Sequence, residues 1–169
     1  MIFPILGAIQ GKGFVEGGSF TIVNPSTAVI GKSVRVNQEG IDQLTVMLKL
    51  QGIDLFVVDI PISKIHLDEI FVMIDKGLAL GDLEVLPHWF IAKMKTLGIK
   101  VIGVSKKDPD LTNNCLALSP NKVLFPASGK NTIQILEKNG VNVIPIDVSE
   151  INKMGGGIHC LTLPLYREK

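Results

Sequence analysis

The chain of 169 residues predicts an α/β fold in which one ββαβ unit is used three times and a final strand begins a fourth. Three observations carry that expectation. The ending Leu50-Gln51-Gly52-Ile53-Asp54 returns as Leu97-Gly98-Ile99-Lys100 and as Asn139-Gly140-Val141-Asn142, each time after an amphipathic stretch and before an apolar run; self-similarity at such a spacing marks a repeat. Two short apolar runs joined by a turn precede each amphipathic stretch. Finally, 46% of residues are hydrophobic, yet no apolar run approaches the roughly 20 residues that cross a bilayer. The surplus belongs in a buried, parallel-type sheet or at a partner interface.

The elements follow in order. Phe20-Thr21-Ile22-Val23 and Ala28-Val29-Ile30-Gly31 read as strands around an Asn24-Pro25-Ser26-Thr27 turn, whose residue types favour reversal. Glu39–Gln51 keeps Ile41, Leu44, Met47, Leu48 and Leu50 at helical spacing. Gly52 caps that helix and Leu55–Val58 is the returning strand. The second unit repeats the order with Ile70–Ile74, a turn at Asp75-Lys76-Gly77, Leu78–Leu80, a helix over Leu86–Leu97 and Val101–Val104. Pro87 suits the first turn of that helix. The third has Cys115–Leu118, a turn at 119–122, Val123–Phe125, a helix over Asn131–Lys138 and Val143–Ile146. Cys160–Leu165 alternates apolar residues and reads as the closing strand. The units span about 14–62, 63–108 and 109–153, with the closing strand at 158–166, all within one domain of residues 1–169.

Charge excludes several classes of function. Lys and Arg total 17 against 16 Asp and Glu, a net charge of +1, so nothing favours nucleic acid or an anionic membrane surface. Residues 1–9 are apolar but lack a basic start and contain Pro4, unlike a signal peptide. Cys115 and Cys160 form no Cys-x-x-Cys pair, so both are expected reduced, in the cytoplasm. The three histidines lack metal-ligand spacing, and Gly11-Lys12-Gly13 lacks the context of a phosphate loop; no metal or cofactor is expected.

Units arranged about a pseudo-symmetry axis bring equivalent strand beginnings to one centre. Those points are Glu16–Ser19, His66–Asp68, Asn113–Cys115 and Ile158–Cys160. Among them Cys160, His66, Glu16 and Asp68 supply a cysteine, a histidine and two carboxylates, with Cys160 following the glycine run Gly155-Gly156-Gly157. Such a set suits substitution at a planar cationic carbon. A guanidinium carbon is a poor electrophile and demands a thiolate. Carboxylates fork onto its N–H groups, and a histidine protonates the departing amine. A bound cation would in turn favour the thiolate. His159 precedes Cys160 and, by strand alternation, is expected on the opposite face. Cys115 and His88 read as packing residues.

Glu16-Gly17-Gly18, Gly31-Lys32-Ser33-Val34-Arg35-Val36-Asn37, His66-Leu67-Asp68 and Gly155-Gly156-Gly157-Ile158-His159-Cys160 resemble, in order and across essentially the whole chain, the guanidino-group-modifying superfamily of arginine deiminases, dimethylarginine hydrolases, agmatine deiminases and amidinotransferases. The resemblance implies part of a five-unit α/β propeller. It makes Cys160 the nucleophile, His66 the general acid and base, and Asp68 a guanidinium-binding carboxylate. Glu16 would orient His66 or contact the guanidinium, and Arg35 would take a substrate carboxylate.

Two departures from the family pattern stand out. Family members carry Asp where this chain has Ser19, and five units where it has three. A second chain supplying the remaining units, a fragment, or a catalytically inactive binding module with the same fold all fit. Open strand edges favour a homo-oligomer or hetero-complex. The expected activity is hydrolysis or transfer of the amidino group of a guanidino compound such as arginine, with Ser19 and Arg35 as substrate contacts.

Overall fold

The computed structural model describes residues 5–165. These residues form two compact units, one running up to Leu67 and the other from Asp68 onward.

The first unit contains one ββαβ repeat: β1 (Phe20–Asn24), β2 (Thr27–Lys32), α1 (Gln38–Lys49) and β3 (Asp54–Asp59). β2 lies in the middle of the sheet, antiparallel to β1 and parallel to β3. Five of its six residues are buried, as a centre strand covered on both faces requires. Ile30, Val36 and Ile41 form the core, with Val15, Leu44 and Leu55 packed against it. Asn37 caps α1 by accepting the Gly40 N–H at 2.9 Å. The same side chain accepts the Phe14 N–H at 3.1 Å and donates to the Lys12 carbonyl at 2.8 Å. One helix cap therefore also fixes the strand-like segment that leads to Glu16.

The second unit holds two repeats. The earlier consists of β4 (Phe71–Asp75), β5 (Leu78–Gly81), α2 (His88–Thr96) and β6 (Lys100–Gly103). The later consists of β7 (Leu116–Ser119), β8 (Lys122–Pro126), α3 (Lys130–Lys138) and β9 (Asn142–Ile146). Each sheet repeats the strand order and pairing of the first unit. Each hairpin also carries a register shift at the same place, Ile22/Asn24, Met73/Asp75 and Ala117/Ser119. A core of Val72, Ile74, Leu80, Ile102, Cys115, Val123, Phe125, Leu136 and Val141 joins the two sheets of this unit. β4 and β7, the first strands of their sheets, are neighbours.

The recurrent glycine has the predicted duty. Gly52, Gly98 and Gly140 take φ of 73°, 75° and 80°, left-handed values that glycine adopts without steric cost. After each, the next residue's N–H returns to the last turn: Ile53 to Leu48, Ile99 to Met94, Val141 to Leu136, at 3.0, 2.9 and 3.1 Å. This closes each helix with the same motif.

The closing strand does not form. Residues 159–161 are a 3-10 turn, and no strand is assigned over 162–165; residue 166 lies outside the described residues. Leu161, Leu163 and Leu165 are exposed. Sheets here pair within their own repeat, so this segment finds no ladder among the described residues, and the N–H groups of His159 and Cys160 go to a side chain instead. Among the described residues no helix is long and apolar enough to cross a membrane.

Asp108 caps α3 from outside. Its carboxylate accepts N–H groups of Asn131 (3.0 Å) and Thr132 (2.6 Å), and the Thr132 hydroxyl at 2.6 Å. Burial alone would raise its pKa, but the hydrogen bonds from Thr132 and Asn131 outweigh it and hold the carboxyl below its ordinary 3.8. A depressed folded value means that the stabilisation is complete above the unfolded pKa and is lost as pH falls through the folded one. Asp108→Ala is expected to cost about 1–2 kcal/mol at pH 7, read by urea unfolding. The difference from wild type should shrink in acid; a difference that grows there would remove the cap from the account.

Candidate functional site

Within the first unit the strand openings place Glu16, Arg35 and His66 together. Glu16 Oε2 lies 2.6 Å from His66 Nε2, and Glu16 Oε1 lies 3.4 Å from the Arg35 guanidinium. Glu16 thus has the geometry to orient the His66 ring. The Arg35 and Glu16 side chains are both about half exposed, so that pair contributes little stability. Ser19 is fully buried, and its Oγ has no hydrogen-bond partner among the described residues.

The second unit gathers Asp68, Asn113, Asn114, His159 and Cys160. Because β4 and β7 are neighbours, the residues just before each strand meet: Asn113 Nδ2 donates to the Asp68 carbonyl at 3.2 Å. Leu111 holds φ at 64°, uncommon for leucine, and its carbonyl accepts the Asn114 N–H at 2.9 Å. Asp68 Oδ2 lies 3.0 Å from His159 Nδ1 and 3.7 Å from Cys160 Sγ. Asp68 Oδ1 and Asn113 Oδ1 are buried acceptors without a partner among the described residues. Unmet acceptors of this kind suit groups rich in N–H donors.

Cys160 is exposed as a residue, but its sulfur sits against Asn114 and Asp68. Burial, then the Asp68 charge, push the thiol above its ordinary value, and the Gly157 N–H and the Asn114 amide oppose them. At neutral pH the resting group is therefore the thiol, which donates to Asp68. Cys115 is wholly buried, and burial pushes its thiol up to about 12. Iodoacetamide at pH 8 is expected to modify Cys160 and spare Cys115, as read by peptide mass; label on Cys115 in the folded protein would contradict this packing.

His159 corrects the sequence reading. It faces Asp68 because the segment turns in a 3-10 helix, where residues do not alternate as on a strand. Asn114 was not assigned a role by sequence reasoning. Its position opening the third unit, at a point equivalent to His66–Asp68, was the available signal.

The repeated ββαβ architecture and these two clusters define a member of the guanidino-group-modifying superfamily. Residues 7–167 match the family model described as N,N dimethylarginine dimethylhydrolase, eukaryotic, and the chain belongs to that family. It is 27% identical over 157 residues to the N(G),N(G)-dimethylarginine dimethylaminohydrolase of Pseudomonas aeruginosa, covering 92% of this chain and 58% of the relative. It is 26% identical to the arginine deiminase of Mycoplasma capricolum, covering 91% and 47%. Among solved structures, DDAH from Pseudomonas aeruginosa, a cysteine-to-serine mutant complexed with citrulline, superposes with a TM-score of 0.74 at 27% identity, over 88% of this chain and 55% of that one. An inosamine-phosphate amidinotransferase of Streptomyces griseus shares the fold, with a TM-score of 0.72 at 20% identity over 95% and 49%. The chain spans about half the length of the curated relatives it matches.

Proposed function

We propose that the chain is part of a hydrolase acting on the guanidino group of an arginine-like compound, with Cys160 as the nucleophile. The observation that supports this most is the approach of the Cys160 thiol to the Asp68 carboxylate, 3.7 Å apart from positions 92 residues apart in sequence, in a chain of this family. Asp68 is proposed as the carboxylate that accepts the guanidinium N–H groups, a reading supported by its buried Oδ1, which has no partner among the described residues. That cation offsets the two effects that keep Cys160 protonated, so substrate binding favours the thiolate. The sulfur attacks the guanidinium carbon, forming a C–S bond while the C=N electron pair moves to nitrogen. The C–N bond to the leaving amine then breaks, and the amine leaves with a proton. Water attacks the resulting amidino-thioether, the C–S bond breaks, and the ureido product and free thiol are released.

Resemblance gives the proton transfers to His66, and its short hydrogen bond to Glu16 suits a ring held in one tautomer. Arg35 and Ser19 are proposed as substrate contacts. Hydrolysis is favoured over transfer because the family match and the curated relatives are hydrolases. Because the matched relatives are about twice as long, a second chain supplying further units, or a second copy, is proposed to complete the substrate cleft.

The test incubates the chain with arginine, dimethylarginine and agmatine, alone and with a polypeptide covering the remaining length of the relatives. Released ammonia or amine and the ureido product are measured, and acid-quenched samples are weighed for a Cys160 adduct. Turnover that persists in Cys160→Ser sinks the nucleophile. His66→Ala is expected to lower turnover about 10²- to 10⁴-fold; unchanged turnover would move the acid elsewhere.

A further inference from the structure

Among the described residues the segment carrying Cys160 has no strand to hold it, and its backbone N–H groups at 159 and 160 turn to one wholly buried side chain, Asn114. Asn114 Oδ1 accepts the N–H groups of His159 at 2.8 Å and Cys160 at 3.3 Å. Only the oxygen end of an amide can accept, so these two donors settle which way the side chain faces. The N–H end is thereby turned to the sulfur, and Nδ2 lies 3.1 Å from Cys160 Sγ. The chain passes directly over this amide: a Cβ at Gly157 would lie 2.5 Å from Asn114 Oδ1. Glycine at 157 is thus required by the approach of Asn114.

Among the described residues the titratable groups beside the sulfur are Asp68, with Oδ2 at 3.7 Å, and His159, whose Nδ1 lies 3.0 Å from that same oxygen. A thiolate formed here faces an anion across a short gap. Against that repulsion stand two neutral donors, the Asn114 amide and the Gly157 N–H.

We propose that Asn114 is a positioning residue for the nucleophile: its oxygen fixes the backbone of residues 159–160, and its N–H end holds the Cys160 thiolate beside Asp68. This rests on the reading of Cys160 as the nucleophile. The ionisation itself is S–H giving S⁻ and a proton to solvent, with the Asn114 N–H bond to sulfur retained.

The experiment measures the rate of iodoacetamide alkylation of Cys160 against pH in the full chain, in wild type, Asn114→Asp and Asn114→Ala. Asn114→Asp keeps an acceptor for both backbone N–H groups but turns an anion to the sulfur. Its midpoint is expected to rise by at least one pH unit, about tenfold slower labelling at pH 8. Asn114→Ala releases the segment, so its midpoint should fall toward that of a free cysteine. An unchanged midpoint in either variant, or a lowered one in Asn114→Asp, overturns the proposal. Equal loss of thermal stability without these shifts would leave Asn114 merely structural. If a variant fails to fold, hydrogen exchange in wild type decides instead: the His159 and Cys160 amides should be protected although no sheet contains them, and free exchange overturns the proposal. No substrate enters these measurements, so a chain without hydrolytic activity would sink the functional reading and leave this one standing or falling by itself.

Discussion

Asp68→Asn is expected to lower the proposed guanidino hydrolysis by about 30-fold to several-thousand-fold while making Cys160 easier to ionise. The carboxylate has two duties of opposite consequence. In the proposed reaction it is the buried anion that would accept N–H groups of the guanidinium, with a side chain only 4% exposed. Removing one partner of a buried, hydrogen-bonded charge pair costs about 2–5 kcal/mol, a loss of about 30-fold to several-thousand-fold at 1.4 kcal/mol per decade. Toward the thiol it is a repulsive neighbour, second only to burial in holding the proton on sulfur. With the charge gone and burial unchanged, the thiol midpoint should drop yet stay above that of an open cysteine. A turnover assay and an alkylation pH profile on one preparation check both halves. Retained turnover would remove Asp68 from guanidinium binding, and a midpoint that rises would contradict the electrostatics.

The second large effect lies in the core. Phe125 is wholly buried in β8, in the cluster that joins the two sheets of the second unit, alongside Cys115, Leu136 and Ile74. Phe125→Ala leaves a cavity where a ring packed and should cost about 3–5 kcal/mol, a large share of the ~5–15 kcal/mol typical of a folded domain. The urea midpoint should fall with little change in slope. The same variant touches the site at one remove. Cys115 follows Asn114 directly, so a loosened Cys115 frees the amide that steadies residues 159–160, and the Cys160 alkylation profile should drift toward that of an unstructured cysteine. A stability loss under 1 kcal/mol would mean that the surrounding side chains collapse into the space.

The three repeats were legible because each is written in local signals. Glycines at 52, 98 and 140 need left-handed backbone, turn residues separate the hairpin strands, and the helices keep their apolar spacing. Boundaries moved by one or two residues, as helix ends and strand ends do. The pairing of Asp68 with Cys160 followed from the repeat itself, since equivalent strand openings meet when first strands are neighbours. The closing strand misled because Leu161, Leu163 and Leu165 alternate as a strand does, while a ladder needs a partner that periodicity does not reveal. The orientation of His159 failed with it. The repeat placed Asn114 at a convergent point but gave it no partner: its three side-chain hydrogen bonds reach 45 and 46 residues along the chain, and no spacing rule connects an asparagine before one strand to a glycine run so distant.

The backbone N–H groups of the short turn that carries Cys160 go to one side-chain amide, while the sheets beside it are cross-linked by whole ladders. Heat will therefore disarm this protein before it melts it. On a slow temperature ramp, the unusual pH profile of the thiol should vanish several degrees below the main unfolding transition. A reagent or graft that clamps residues 159–162 would lengthen working life without raising the melting point.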